Sequence, residues 1–200
     1  MRFTRNRFWQ MLPRLQAAMR CGALSAACAS ACAQTSVVTP DGVFVQLGAA
    51  ADTYGASAGL YWNWGREFEL GGARLTGYWE ASVSQWSYPS SYPSSDVRRT
   101  AGLIQLGVIP VLRWRPASGS SPWFAEGGIG ATLTTVAYQT DRKRFSTRFN
   151  FGDHLAFGRS FGPLSAHEIS LRVEHFSNAG IRQPNPGENF VQIRYLYKLR

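Results

Sequence analysis

The sequence predicts an all-β fold, an eight-stranded antiparallel transmembrane β-barrel, and three observations carry the expectation. Past residue 34, runs of roughly ten residues rich in aromatic, glycine and β-branched residues recur with no helix-period stretch among them. Within the runs, apolar and polar residues alternate with the period of two that sends successive side chains to opposite faces of a sheet. The connections are short on one side and long on the other, the pattern of outer-membrane barrels.

In chain order the expected strands are 43–51, 55–65, 69–86, 100–114, 122–135, 147–158, 165–177 and 189–200. The third sets Leu75, Gly77, Trp79, Ala81 and Val83 on one face and Thr76, Tyr78, Glu80, Ser82 and Ser84 on the other. The fifth opposes Trp123, Ala125, Ile129 and Leu133 to Glu126, Thr132 and Thr134, and the last sets Val191, Ile193, Tyr195, Tyr197 and Leu199 against Gln192, Arg194, Leu196 and Lys198. Such alternation fits a soluble sandwich with its apolar face inside or a membrane barrel with its apolar face outside. Aromatics near strand ends (Trp62, Trp64, Trp86, Trp114, Trp123, Tyr195, Tyr197) favour the barrel, because they suit interfacial girdles. With both termini on the periplasmic side, the inward connections are 66–68, 115–121 and 159–164, and the outward ones 52–54, 87–99, 136–146 and 178–188.

The first residues are not part of this pattern. MRFTRNRFWQMLPRLQAAMR is basic, CGALSAACASACA is small and apolar, and Ala31-Cys32-Ala33 precedes Gln34. That order reads as a secretory signal peptide over 1–33, cleaved after Ala33, with the barrel over 34–200. All three cysteines fall in the leader, so the exported chain is expected to have no disulfide and no cysteine nucleophile. Five of the 21 basic residues and none of the 12 acidic ones lie there as well, so most of the formal +9 leaves with it. The remaining balance gives no argument for nucleic acid.

Chemistry concentrates near the C-terminus, in EHFSNAGIRQPNPGENF from Glu174 to Phe190. Ile169, Leu171 and Val173 form the apolar parity of the seventh strand, and His175 and Ser177 continue it. Both then point outward at a strand end, and ionisable groups on a membrane-facing surface are functional candidates by default. Residues at i and i+2 lie about 6.5–7 Å apart at Cα on one face, a gap that imidazole and hydroxyl can close. His175 is then a base for Ser177 as nucleophile. Glu188 is placed to orient the imidazole, and Asn178 to donate a hydrogen bond to the oxyanion. The alternative is a plain strand end followed by a turn-forming loop.

The segment HFSNAGIRQPNPGEN resembles the signature of the PagL family, outer-membrane lipid A 3-O-deacylases. The family pattern has a histidine, a serine two later, Asn-Ala/Gly, and a Pro-Asn turn leading to a glutamate. The resemblance implies His175 as base, Ser177 as nucleophile, Glu188 as orienting acid and Asn178 as oxyanion donor. The family's acid can also lie one position on, where this chain has Asn189. It further implies a cofactor-free serine esterase that removes the 3-hydroxyacyl chain at position 3 of lipid A in the outer leaflet, with lipopolysaccharide as partner and a homodimer as one arrangement.

Around the site, Arg142, Lys143, Arg144 and Arg148 in DRKRFSTR are candidates to hold lipid A phosphates, and Arg98 and Arg99 weaker ones. His154 and His167 have no metal-ligand spacing and read as structural, and Asp153 and His154 should face opposite ways. The competing functional readings are a non-catalytic structural or adhesive barrel and an acyltransferase barrel, which would need an interior donor pocket.

Overall fold

The computed structural model describes residues 39–91, 98–118 and 121–199. The expected leader and its three cysteines lie outside them. The strands are β1 (Gly42–Ala49), β2 (Tyr54–Leu70), β3 (Ala73–Ser91), β4 (Arg98–Pro116), β5 (Trp123–Thr134), β6 (Phe149–Phe161), β7 (His167–Ser177) and β8 (Glu188–Lys198). Each pairs antiparallel with its neighbours in sequence, and β8 closes on β1, so the sheet is a closed eight-stranded barrel.

The alternation resolves as membrane-type. In β7, Ile169, Leu171 and Val173 are exposed while Glu168, Ser170, Arg172 and Glu174 are buried. The same inversion holds in β8, where Val191, Ile193, Tyr195 and Tyr197 face out and Gln192 and Arg194 face in. A wall of exposed Val, Leu and Ile suits hydrocarbon, and closure leaves no strand edge to be satisfied there.

The interior is filled by two ion-pair layers, an aromatic plug and an apolar cluster of Phe44, Tyr61, Tyr78, Ile109, Val111 and Leu196. Toward the end where β1 begins and β8 ends, Glu168 receives Arg113, Arg115 and Lys198, and Arg113 also pairs with Glu126. In the middle, Glu80 takes Arg172 in two hydrogen bonds of 3.0 and 3.2 Å and Arg194 in a third of 2.6 Å. Toward the loop end, Trp86, Tyr88, Leu103, Tyr138, Phe145, Phe176 and Phe190 form an aromatic plug. The space left among Gln46, Glu80, Gln105 and Gln192 is about 10 Å³, roughly the room of a single water.

One turn differs from expectation. The second and third strands join at Gly71-Gly72, both at positive φ (59° and 74°), and not at 66–68. Arg66, Glu67 and Phe68 carry no turn chemistry, whereas a Gly-Gly pair meets the left-handed demand of a two-residue hairpin. The strands therefore run longer, and the chain absorbs the difference in a β-bulge: Trp64, Gly65 and Arg66 fall between the pairs Asn63–Tyr78 and Glu67–Thr76. At the loop end, β3 and β4 stay paired as far as Ser91–Arg98, so much of the expected 87–99 loop is a projecting hairpin.

Candidate active site

His175 and Ser177 lie at the loop end of β7, both half-buried and both on the outward parity. Register fixes their neighbours: Asp153 of β6 and Asn189 of β8 flank His175, and Phe151 flanks Ser177. The imidazole Nδ1 lies 2.7 Å from Asn189 Oδ1. A carbonyl oxygen only accepts, so Nδ1 carries the proton and Nε2 is left as the acceptor. Against the ring packs Gly187, at φ +65°, where a Cβ would fall 2.5 Å from His175 Cε1 and 3.0 Å from Nε2. Only glycine accommodates both the backbone conformation and the close approach.

Glu188 does not join this group, which corrects the expected triad. It pairs in register with Phe176, so its side chain points into the barrel and is buried. There Oε2 accepts from the Tyr138 hydroxyl at 3.0 Å, and Oε1 accepts from Lys143 Nζ at 2.9 Å. Burial pushes the Tyr138 phenol well above its usual range, which keeps it a donor. The physical reason for the correction is the period of two: a residue one before the histidine's partner must face the other way.

The amide of Asn178 is also committed elsewhere. Nδ2 donates to Ser146 Oγ, Thr147 Oγ1 and the Arg182 carbonyl at 3.0, 3.1 and 2.8 Å, and Oδ1 accepts from Gly180 N–H. Its backbone N–H donates to Asn185 Oδ1 at 3.0 Å. With both donors engaged, Asn178 ties the 135–148 loop to the 178–187 loop instead of facing an oxyanion. Asn185, which the sequence does not single out, also reaches this strand end. Its side chain is held beside the peptide that follows Ser177, with its carbonyl oxygen occupied and its NH₂ turned away from that bond. The signal was the Asn in PNPGE, read only as turn chemistry.

The basic loop is partly spent on structure. Lys143 binds Glu188 and the Gly187 carbonyl, Arg142 pairs with Asp52 at 3.2 Å, and Arg148 Nε donates to the Thr134 carbonyl. Arg144 is exposed. The side chains of Arg98 and Arg99 lie outside the described ones. His154 faces inward and is buried, while Asp153 faces outward beside His175. His167 begins β7, opposite the loop end, among Phe161, Tyr195 and Tyr197, with Nδ1 2.7 Å from Tyr195 Oη, a place for it in the interfacial belt.

An apolar trough of about 800 Å³ opens on the outer wall with His175 at its upper end. Val173, Asp153, Leu155, Gly127, Ile129, Pro110 and Leu112 line it, and Trp64 stands at the far end.

The family model described as lipid A 3-O-deacylase (PagL) matches residues 52–198. The lipid A deacylase PagL of Bordetella bronchiseptica is 40% identical over 110 residues, 54% of this chain and 58% of that protein, so the match spans little more than half of that relative. The lipid A deacylase PagL of Pseudomonas aeruginosa is 30% identical over 138 residues, 68% of this chain and 73% of that protein. A crystal structure of the outer membrane enzyme PagL superposes with a TM-score of 0.65 at 27% identity, covering 79% of this chain and 99% of that one. A match that takes in seven of the eight strands whole, and with them the outward histidine and serine of β7, shows that this chain belongs to the PagL family.

Proposed function

We propose that the chain is a lipid A 3-O-deacylase of the bacterial outer membrane, exported by its leader and inserted with the loop end at the cell exterior. The observation that carries the reading is the outward imidazole held by Asn189 at 2.7 Å, on the same strand face as Ser177. Its substrate is anchored in the bilayer, so a site on the barrel's outer wall meets the ester without extracting it. Ser177 Oγ attacks the carbonyl carbon of the ester at position 3, and its proton passes to His175 Nε2. The tetrahedral intermediate collapses, the C–O bond to the sugar breaks, and the imidazolium returns the proton to the sugar oxygen. Water, deprotonated by the same nitrogen, then cleaves the acyl-enzyme and frees a hydroxy fatty acid.

Asn189 takes the orienting place. An amide there fixes the tautomer without adding charge, as in cysteine–histidine–asparagine sites. Asn185 supplies the oxyanion donor through its NH₂. Glu188 acts at one remove: it anchors Lys143 and Tyr138 inside the barrel and accepts from the Asn189 N–H at 3.1 Å, which positions the segment pressed on the imidazole.

Mass spectrometry of lipid A from cells expressing the chain tests the reading. Loss of one hydroxyacyl mass is expected, and Ser177→Ala and His175→Ala should each abolish it while the barrel still shows folded, heat-modifiable migration. Normal deacylation by both folded variants would end the proposal.

A further inference from the structure

A separate groove lies on the outer wall at the end opposite His175. It runs between two rows of outward side chains, Phe157–Leu171–Ile193 on the side of the loop end and Trp123–Arg159–Ile169 beyond it, and encloses about 370 Å³. Its floor is backbone, where Gly158 pairs with Ser170: a Cβ on Gly158 would point inward onto the Phe124 ring, and Ser170 is buried in the barrel. Along β6, Arg159 follows Asp153, the neighbour of His175, by six residues. Six residues at roughly 3.3 Å each, on strands tilted by about 40°, descend about 15 Å. With His175 at one edge of an apolar band about 25 Å tall, Arg159 falls in the far half. Phe161, His167 and Tyr197 form the next outward row and mark the far interface.

Arg159 gives this groove its chemistry. It is exposed on the outer face, with Cζ 5.6 Å from the centre of the Trp123 ring, and Trp123 stacks on Phe157 with centroids 5.1 Å apart and planes 11° from parallel. The indole thus holds the guanidinium at the mouth of the groove. Among the described residues, the outward positions of β5 to β8 at this end carry no carboxylate. A cation on a lipid-facing wall is costly and by default a functional candidate. Its stem can lie along the apolar wall while the head reaches the interface, and its planar fork of donors matches a phosphate.

We propose that this groove binds one anionic glycerophospholipid of the leaflet opposite the candidate active site, with the phosphate on Arg159 and an acyl chain along Phe157, Leu171 and Ile193. Charge complementarity selects the occupant. A single guanidinium meets a single phosphate, and a headgroup that also bears an ammonium finds no carboxylate beside it. The apolar lining below the guanidinium suits an acyl chain and offers nothing to a free anion. With the loop end at the cell exterior, this leaflet is the periplasmic one. The site goes beyond the deacylase reading and shares no residue with the group around His175.

The test is native mass spectrometry of the purified full-length protein, released from micelles that hold equal amounts of phosphatidylglycerol and phosphatidylethanolamine with the same acyl chains. One basic group at a membrane surface is worth about fivefold in binding an anionic lipid. Wild type should retain phosphatidylglycerol over phosphatidylethanolamine by at least that factor, Arg159→Gln should bring the two level, and Arg159→Lys should keep part of the preference. In vesicles, a phosphatidylglycerol with a diazirine on its acyl chain should label the peptides that carry Phe157, Leu171 and Ile193 in wild type, and Arg159→Gln should lose that label. An unchanged preference in folded Arg159→Gln, labelling spread evenly around the barrel, or a lipid-free dimer in place of the lipid adduct overturns the proposal. No lipid A is present, so this site and the deacylase reading stand or fall separately.

Discussion

Glu188 and Asn189 are adjacent in sequence and a barrel wall apart in role. Asn189 carries an uncharged orienting group on the lipid face. Asn189→Leu removes the Nδ1 partner, and kcat should fall by ten- to a hundredfold with the histidine free to rotate. Asn189→Glu should remain active, because a carboxylate accepts from Nδ1 as the amide oxygen does and keeps the ring oriented. Asn185→Asp keeps the acceptor for the Asn178 N–H and deletes the NH₂ donor. It should cost about 10²–10³ in kcat with KM nearly unchanged. The outward parity of His175 and Ser177 was legible because β7 alternates without interruption. The same parity, applied to β8, already put residue 189 outward with Val191 and Ile193 and residue 188 inward. Glu188 was favoured for its charge, although the backbone period is the stronger constraint. The tie from Asn178 to Ser146 and Thr147 was not legible, since those two partners lie on a loop some thirty residues away.

Among the elements, the 135–148 loop is held to the barrel by a buried latch. Glu188 joins Lys143 and Tyr138, Tyr138 reaches Thr53, and Asn178 joins Ser146 and Thr147. Glu188→Ala should free this loop to limited proteolysis and lower kcat with the strands intact, because it removes a support and not a reacting group. Lys143→Met should do the same more mildly, since Tyr138 keeps its carboxylate. Eight strands and the two kinds of connection could be read from alternation alone. The register break at Trp64–Arg66 could not, because a bulge is set by how two strands pair and leaves little mark on either one. The Gly71-Gly72 turn was visible as a dipeptide but was hidden within a run that otherwise looked continuous.

For the molecule as a whole, closure and the interior ion pairs carry stability where the barrel strands contain no cysteine. Glu80 balances two buried arginines. Glu80→Leu leaves both uncompensated and should cost about 3–5 kcal/mol, read as an earlier midpoint in urea unfolding from lipid vesicles. His175 and Asn189 lie on the other side of the wall, so activity per folded molecule should change little. Among the described residues, the aromatic plug and the guanidinium–carboxylate layers leave no thoroughfare for ions or nutrients, and planar bilayers carrying the protein should show no conductance steps. A bacterium can thus stock its surface with this catalyst and keep its permeability barrier sealed.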